Sequence, residues 1–400
     1  MPFEVPSSWV WTTVGEISQS ILYGVSESAK SQGTYRLLRI TDIQDNTVNW
    51  DTVPFTDYEN EKAEAYLLKD GDILFARTGA TVGKSYLVNS LKEKAIYASY
   101  LIRVQTNHYV LPAFVKYFFE SGFYWEQVLG NSVGIGQPNV NGTILSNLEL
   151  PIPPIMEQKR IVKELGEWLS IIDKIEESKG RIQKIISLAK SKVLDLAIHG
   201  KLVPHDPTDE PACELLKRIN PKAEIACDNG HYQKLPEGWC ECSFDDIFNI
   251  TMGQSPNGCS INHQQGVEFH QGKILFGDKY LKQSDMFTDA PTKLATPNSL
   301  LLCVRAPVGV VNITQRGICI GRGLCSLKPN AAITLDYAYH ALTTYQSDFE
   351  SKSTGSTFKA ISVSIIRNEV FALPPLQEQY RIVAKIEEIF AQLDAIETSL

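Results

Sequence analysis

"IPPIMEQKRIVKELGEWLSIIDKIE" (152–176) and "LPPLQEQYRIVAKIEEIFAQLDAIE" (373–397) align without a gap at a constant offset of 221. They share both prolines, Glu157/Glu378, Gln158/Gln379, Arg160/Arg381, Ile161/Ile382, Val162/Val383, Asp173/Asp394 and Glu176/Glu397. A period this long exceeds any solenoid unit and reads as one duplicated domain plus helix. After Pro153 and Pro154, apolar side chains fall at 161, 165, 168, 172, 175, 182, 186, 189, 193 and 196, and only Lys179 breaks the seam. Steps of four and three residues are the heptad signature of a coiled coil. The prolines fix the helix start, and Gly200 with Pro204 marks its end. The second copy repeats the seam at Ile382, Ile386, Ile389, Leu393 and Ile396.

The duplication extends upstream. "VPSSWVWTTVGEI" (5–17) matches "LPEGWCECSFDDI" (235–247), and "SVGIGQPNV" (132–140) matches "STGSTFKAI" (353–361). "GDILFARTGATVGK" (71–84) matches "NSLLLCVRAPVGVV" (298–311), which we read as aligning Arg77 with Arg305. The first of these strings invites a second reading, as a phosphate-binding loop. That loop needs four residues between its glycines and a helix after its lysine. Gly79 and Gly83 enclose three residues, and "SYLVNS" after Lys84 is strand-like. The counterpart "APVGVVN" also lacks the lysine, so the segment reads as a duplicated strand–turn–strand. The rest of each copy alternates short β-branched and aromatic runs with turn signals, interrupted by helices at 112–121 and 335–345. Residues 200–234, rich in Pro, Asp and Asn, read as a linker with one short helix at 212–219.

The net charge of −8 argues against a generally basic nucleic-acid binder. If DNA is bound, cations must be gathered on one face or a partner must neutralise phosphates. All eight cysteines lie at or after Cys213 without a CxxC, which suggests reduced thiols in the cytosol rather than a zinc site. The seven histidines show no metal spacing, and no apolar run is long enough to span a membrane. "MPFEVPSSWVW" lacks the basic start and apolar core of a signal peptide. An adenine methyltransferase needs an Asn/Asp-Pro-Pro-aromatic motif for its flipped base, and the Pro-Pro pairs here sit only at helix starts. Neither cofactor, metal nor catalytic set is expected.

The order of elements, with "IPPIMEQKRIV", "LPPLQEQYRIV", "AIHGKLV" and "GDILFARTGATVGK", resembles the specificity subunit of type I restriction-modification systems over essentially the whole chain. The resemblance implies an α+β fold. Two duplicated β-rich target-recognition domains would be separated by long antiparallel coiled-coil helices in a pseudo-two-fold arrangement. The implied segments are a first recognition domain (1–153), a spacer helix (154–199), a linker (200–234), a second recognition domain (235–373) and a second spacer helix (374–400). It implies a cytoplasmic, non-catalytic protein that reads a bipartite double-stranded DNA target, one half per domain. The helices would set the spacing, which must respect the roughly 34 Å repeat of DNA, and dock two modification subunits; restriction/translocase subunits would join for cleavage. Leu400 aligns with Lys179, whereas the family pattern continues to a second "GKLV"-like end, so apolar positions 182–196 are expected to lack a partner. Two other readings stay open: a recognition subunit whose partner fuses methylase and nuclease, and a coiled-coil scaffold that binds protein.

DNA contacts are expected from turns rich in Arg, Lys, Asn, Gln, Ser and Tyr. In the first domain the candidates are Tyr23, Lys30, Arg39, Arg77, Thr78, Lys84, Ser132, Gln137 and Asn139. In the second they are Gln254, Ser255, Lys279, Tyr280, Arg305, Lys352, Ser356, Thr357 and Lys359. Arg77 and Arg305 lead because they are read as equivalent. Gln158, Arg160, Gln379 and Arg381, in the first turns of the helices, are candidates for capping and domain packing or for docking the modification subunits.

Overall fold

The computed structural model describes residues 2–131, 139–223, 225, 235–355 and 359–400. The chain divides into two compact units, Met1–Glu176 and Glu177–Leu400.

In the first unit a four-stranded antiparallel sheet runs in the order Ser18–Tyr23, Leu101–Thr106, Ile73–Ala76, Ser85–Leu87. The strand Ile73–Ala76 is buried along its whole length. Its alternate side chains feed two cores: Ile73 and Phe75 pack with Ile102, Val104 and Tyr124, while Leu74 and Ala76 pack with Leu38, Tyr97 and Leu101. A strand covered on both faces needs a continuous apolar run, which "ILFA" supplies. The second core sits against a three-stranded sheet in which Tyr35–Leu38 pairs parallel with Ala95–Tyr97 and antiparallel with Phe55–Thr56. Val10–Thr13 pairs with Glu149–Ile152 and so anchors the strand that leads into the long helix.

The second unit repeats this plan. Its four-stranded sheet runs Phe248–Met252, Leu324–Pro329, Ser299–Cys303, Val311–Thr314. Val267–His270 pairs parallel with Ile318–Ile320 and antiparallel with Phe287–Thr288, and Cys240–Ser243 pairs with Val370–Leu373. The segment read as a strand–turn–strand rather than a phosphate-binding loop runs as such from Ile73 to Leu87. The helices expected at 112–121 and 335–345 are Pro112–Phe118 and Leu335–Thr344. The helix in the linker, Ala212–Ile219, is not a loose tether: Ala212, Leu215 and Leu216 are buried in the same core as Trp239, Ala197 and Ile386.

The first spacer helix, Ile155–Ile198, has 44 residues and spans about 66 Å at 1.5 Å per residue. The second, Leu376–Thr398, has 23. Within the second unit they run antiparallel: Lys190 Nζ reaches Asp394 and Glu397 at 2.5 and 3.4 Å, and Lys179 Nζ donates to the Leu400 carbonyl at 3.0 Å. Ile382 and Ile386 are buried in a core that also takes Val193, Leu194 and Ile198. This corrects the expectation that 182–196 is left bare. The repeat aligns Leu400 with Lys179 in sequence, but antiparallel pairing runs the second helix back along 179–198. The exposed seam positions are instead Leu165, Trp168, Ile172 and Ile175 on the first helix and Ile396 on the second. No helix of the described residues is long and apolar enough to cross a membrane.

Candidate nucleic-acid interface

In the first unit the end of Ile73–Ala76 gathers several candidates. The Arg77 amide donates to the Tyr100 carbonyl at 3.1 Å, and the Arg77 carbonyl accepts from the Val140 amide at 2.9 Å. Thr78 therefore bridges to Asn139. The Arg77 guanidinium lies 4.9 Å from the centre of the Tyr23 ring, a cation–π contact, and the Tyr23 hydroxyl accepts the Gly142 amide. Arg77 Nε and Asn139 Oδ1 have no hydrogen-bond partner among the described residues. Arg39 stands one residue beyond a strand whose last carbonyl, on Leu38, accepts the Ala98 amide. Its guanidinium is held by Asp42 at 2.7 and 3.0 Å.

The other candidates of this unit lie elsewhere. Lys84, past the turn, lines a cavity with Asn46, Lys116, Glu120 and Trp125. Lys30 pairs with Asp57 at 3.0 Å on the edge of the smaller sheet. Ser132 and Gln137 lie outside the described residues, as do Ser356 and Thr357.

The second unit builds the same corner, and its hydrogen bonds correct the proposed arginine pairing. The Val304 amide donates to the Gly323 carbonyl at 3.0 Å, and the Val304 carbonyl accepts the Ile361 amide at 3.1 Å. Those are the bonds of Arg77, so Val304 is its counterpart, and Arg305 corresponds to Thr78. Beyond the strand, Gly83 and Gly309 occupy matching places, at φ 88° and 87°, with amides that donate to Ala76 and Cys303. The second turn is one residue shorter; without a gap the two strings already set Arg77 against Val304, and pairing the arginines slips the strand by one residue. Arg305 bridges to Ala360, and the Lys359 carbonyl accepts the Ala306 amide, which brings Arg305 and Lys359 together. The Gln254 amide donates to Ile320, and Ser255 Oγ accepts the Arg322 amide at 3.4 Å, which adds Gln254 and Ser255.

Sequence reasoning missed Arg322. The ladder ends by pairing Cys303 with Leu324, and the Val304 amide reaches the Gly323 carbonyl. Arg322 sits in the adjoining turn, closed by the Leu324 amide on the Gly321 carbonyl, at the same strand end as Arg305. Both are exposed, and neither makes an ion pair with any described residue. Two arginines without a carboxylate at one strand end suit an anionic ligand. The signal was the "GRG" at 321–323, which places an arginine between two glycines at a strand start.

The other lysine candidates of the second unit are engaged internally. Lys279 Nζ lies 2.8 Å from Asp336 and 3.6 Å from Glu387, and Lys352 Nζ contacts both Glu369 oxygens at 2.7 Å, while Tyr280 bridges to Ile313 through its backbone and leaves its ring exposed. Among the described residues no cluster of His, Cys, Asp and Glu could hold a metal ion.

At the helix starts, one device occurs twice. Gln158 accepts the Leu111 amide at 2.8 Å and donates to the carbonyls of Tyr109 and Pro153 at 3.2 and 2.9 Å. Gln379 accepts the Thr334 amide at 2.8 Å and donates to Ala332 and Pro374 at 2.9 and 3.0 Å. Leu111 and Thr334 are the N-caps of Pro112–Phe118 and Leu335–Thr344. Both glutamines are buried and saturated inside the chain, so they fasten each unit to its spacer helix and offer nothing to a docking subunit. Arg381 forms a two-point pair with Asp209 at 2.7 and 3.3 Å, while Arg160 is exposed.

The model of the Type I restriction modification DNA specificity domain matches residues 6–185 and 236–400. The chain belongs to this family. The two matched segments each cover one copy of the duplication. Among curated relatives of this specificity-domain protein, the putative type I restriction enzyme MjaX specificity subunit of Methanocaldococcus jannaschii is 28% identical, over 96% of this chain and 88% of that protein. The type I restriction enzyme EcoKI specificity subunit of Escherichia coli is 24% identical, over 98% and 84%. A solved chain from a study of complex assembly and conformational transition of the type I R-M system superposes with a TM-score of 0.77 at 26% identity, covering 100% of this chain and 94% of that one. The HsdS subunit from Thermoanaerobacter tengcongensis shares the fold, with a TM-score of 0.57 at 23% identity over 100% and 93%.

Proposed function

We propose that this specificity-domain protein is the DNA-reading subunit of a type I restriction-modification complex, each unit reading one half of a bipartite target. The observation that carries the reading is the corner built twice from the same backbone bonds and furnished differently: Tyr23, Arg77, Thr78 and Asn139 in one unit, Gln254, Ser255, Arg305, Arg322 and Lys359 in the other. One scaffold with unlike tips is what two readers of unlike half-sites require. Arg, Gln, Asn, Ser and Thr are side chains that read base edges and hold phosphates. The spacer helices set the gap between half-sites and dock two modification subunits, which carry out the methylation; restriction/translocase subunits join for cleavage. The chain itself supplies no catalytic group and works in the cytoplasm.

The test is to map methylated adenines in DNA exposed to this chain together with its modification partner. A two-part motif with a fixed gap is the expected result. Methylation without sequence preference, or at a single continuous motif, overturns the reading.

A further inference from the structure

We propose that Ile274 reads the 5-methyl group of a thymine in the half-site bound by the second unit, an inference that rests on the DNA-reading function above. Ile274 is 93% exposed, more than any other large hydrophobic residue among those described. It is held out by its surroundings. It is the middle residue of the turn Lys273–Leu275, closed by the Phe276 amide on the Lys273 carbonyl at 2.9 Å. Leu275 and Phe276 pack against the core, and the Leu275 carbonyl accepts the Lys282 amide at 2.9 Å. The neighbours are thus pinned inward while Ile274 points to water.

The fold does not need an apolar residue there. In the first unit the corresponding turn is Ile40–Asp42, following the strand that pairs parallel with Ala95–Tyr97, and its exposed middle residue is Thr41. The same backbone therefore forms with a hydroxyl at this point, and the isoleucine has another reason to be present.

Its neighbours suggest that reason. Gln271 lies against the two glycines that flank Arg322: a Cβ on Gly323 would stand 2.3 Å from the Gln271 carbonyl oxygen, and one on Gly321 would stand 3.1 Å from Gln271 Cα. Gln271 and Ile274 line one cavity, Gln271 lies against the glycines on either side of Arg322, and neither Lys273 nor Arg322 has an ion-pair partner among the described residues. Glutamine pairs with the edge of adenine and arginine with that of guanine. Thymine presents the one apolar group in the major groove, and an exposed aliphatic side chain beside those two readers matches it.

The experiment uses the full chain assembled with its modification subunits and duplexes carrying the mapped target. Each thymine of the second half-site is replaced in turn by uracil, which removes only the methyl group. Wild-type protein should lose about fourfold in affinity at one position, the worth of about one buried methylene-sized group. Ile274→Ala should show no loss at that position and an unchanged uracil profile in the first half-site. Equal uracil sensitivity in both proteins, no sensitive thymine, or a half-site without thymine overturns the assignment. Loss of assembly by Ile274→Ala in mass photometry would assign the side chain to a protein contact instead. A 2-aminopurine signal that brightens with wild type but not with the variant would make it an unstacking wedge, and either result also refutes the proposal. Absence of any two-part motif in the methylation map is a separate failure, of the functional reading itself.

Discussion

Gln379 offers a sharp test of how each unit is fastened to its helix. Replacing it with alanine removes three hydrogen bonds, to the Thr334 amide and to the carbonyls of Ala332 and Pro374, at a side chain with no solvent exposure. Water does not reach the groups left behind, and an orphaned buried donor or acceptor costs about 1–3 kcal/mol. With one amide fully orphaned and two carbonyls weakened, the expected loss is about 3 kcal/mol. For a unit of this size each kcal/mol moves the midpoint by about 2–4 °C, so Gln379→Ala should melt about 6–12 °C below wild type. Gln379→Glu keeps the shape but presents only acceptors to two carbonyls, so it should be worse than alanine at pH 7 and recover as the carboxyl is protonated. Exposed Gln377 is the control, and its alanine variant should melt like wild type. Differential scanning calorimetry of the four proteins decides. If Gln379→Ala keeps the wild-type midpoint but loses the modification subunits, the glutamine is a docking residue and the fastening argument is wrong.

Three further outcomes follow from named contacts. Burial raises the Glu268 carboxyl, but the hydrogen bonds from Arg316, the Ser284 amide and His270 outweigh it and hold the pKa at about 2. His270 is pushed down, chiefly by burial. A depressed pKa means the unfolded chain binds protons first as pH falls. Stability should therefore decline below about pH 6.5 as His270 contributes, and fall further from about pH 4.5 towards 2 as Glu268 does. Glu268→Gln should be less stable at pH 7 and flatten the acid part of a urea-midpoint profile. Arg77→Ala should weaken binding to one half-site alone in gel shifts with each half scrambled; equal loss at both would separate Arg77 from base or phosphate contact. Arg305→Gln, if it removes one phosphate contact, should weaken binding to all sequences alike and lower the log–log salt slope by about 0.9; an unchanged slope with relaxed sequence preference would make Arg305 a base reader.

The architecture was legible because its signals are long. The duplicated "EQxRIV" helices, the fully apolar "ILFA" and "SLLLC" strands and the 212–219 helix all reflect periodic burial, which composition records directly. The corner was legible only by residue type. Arg77 and Arg305 were paired by sequence, yet the strand register sets Ala76 against Cys303 and so Arg305 against Thr78. A side-chain position in a strand changes face with each residue, so a slip of one is a different site. Arg322 and Ile274 escaped because their meaning depends on neighbours far apart in sequence, on Leu324 pairing with Cys303 and on Gln271 lying against Gly323. Gln158 and Gln379 were visible as a repeat, but only burial separates a clamp from a docking handle.

The acidic character of the chain takes on a structural form once the pairs are traced. Of the cations singled out as DNA contacts, Lys30, Arg39, Lys279 and Lys352 are each tied to a carboxylate of the same unit, at 3.0, 2.7, 2.8 and 2.7 Å. Those pairs are partly exposed, so they add little stability, but they cancel charge locally. Arg305, Arg322 and Lys359 on the second corner have no such partner among the described residues. A reader that neutralises part of its candidate cations within each unit gains less from charge and relies more on base edges. Non-specific affinity scales with the number of phosphates neutralised. Most of that neutralisation then falls to the subunits that assemble on this chain, which leaves its own corners free to select sequence without trapping the complex on arbitrary DNA.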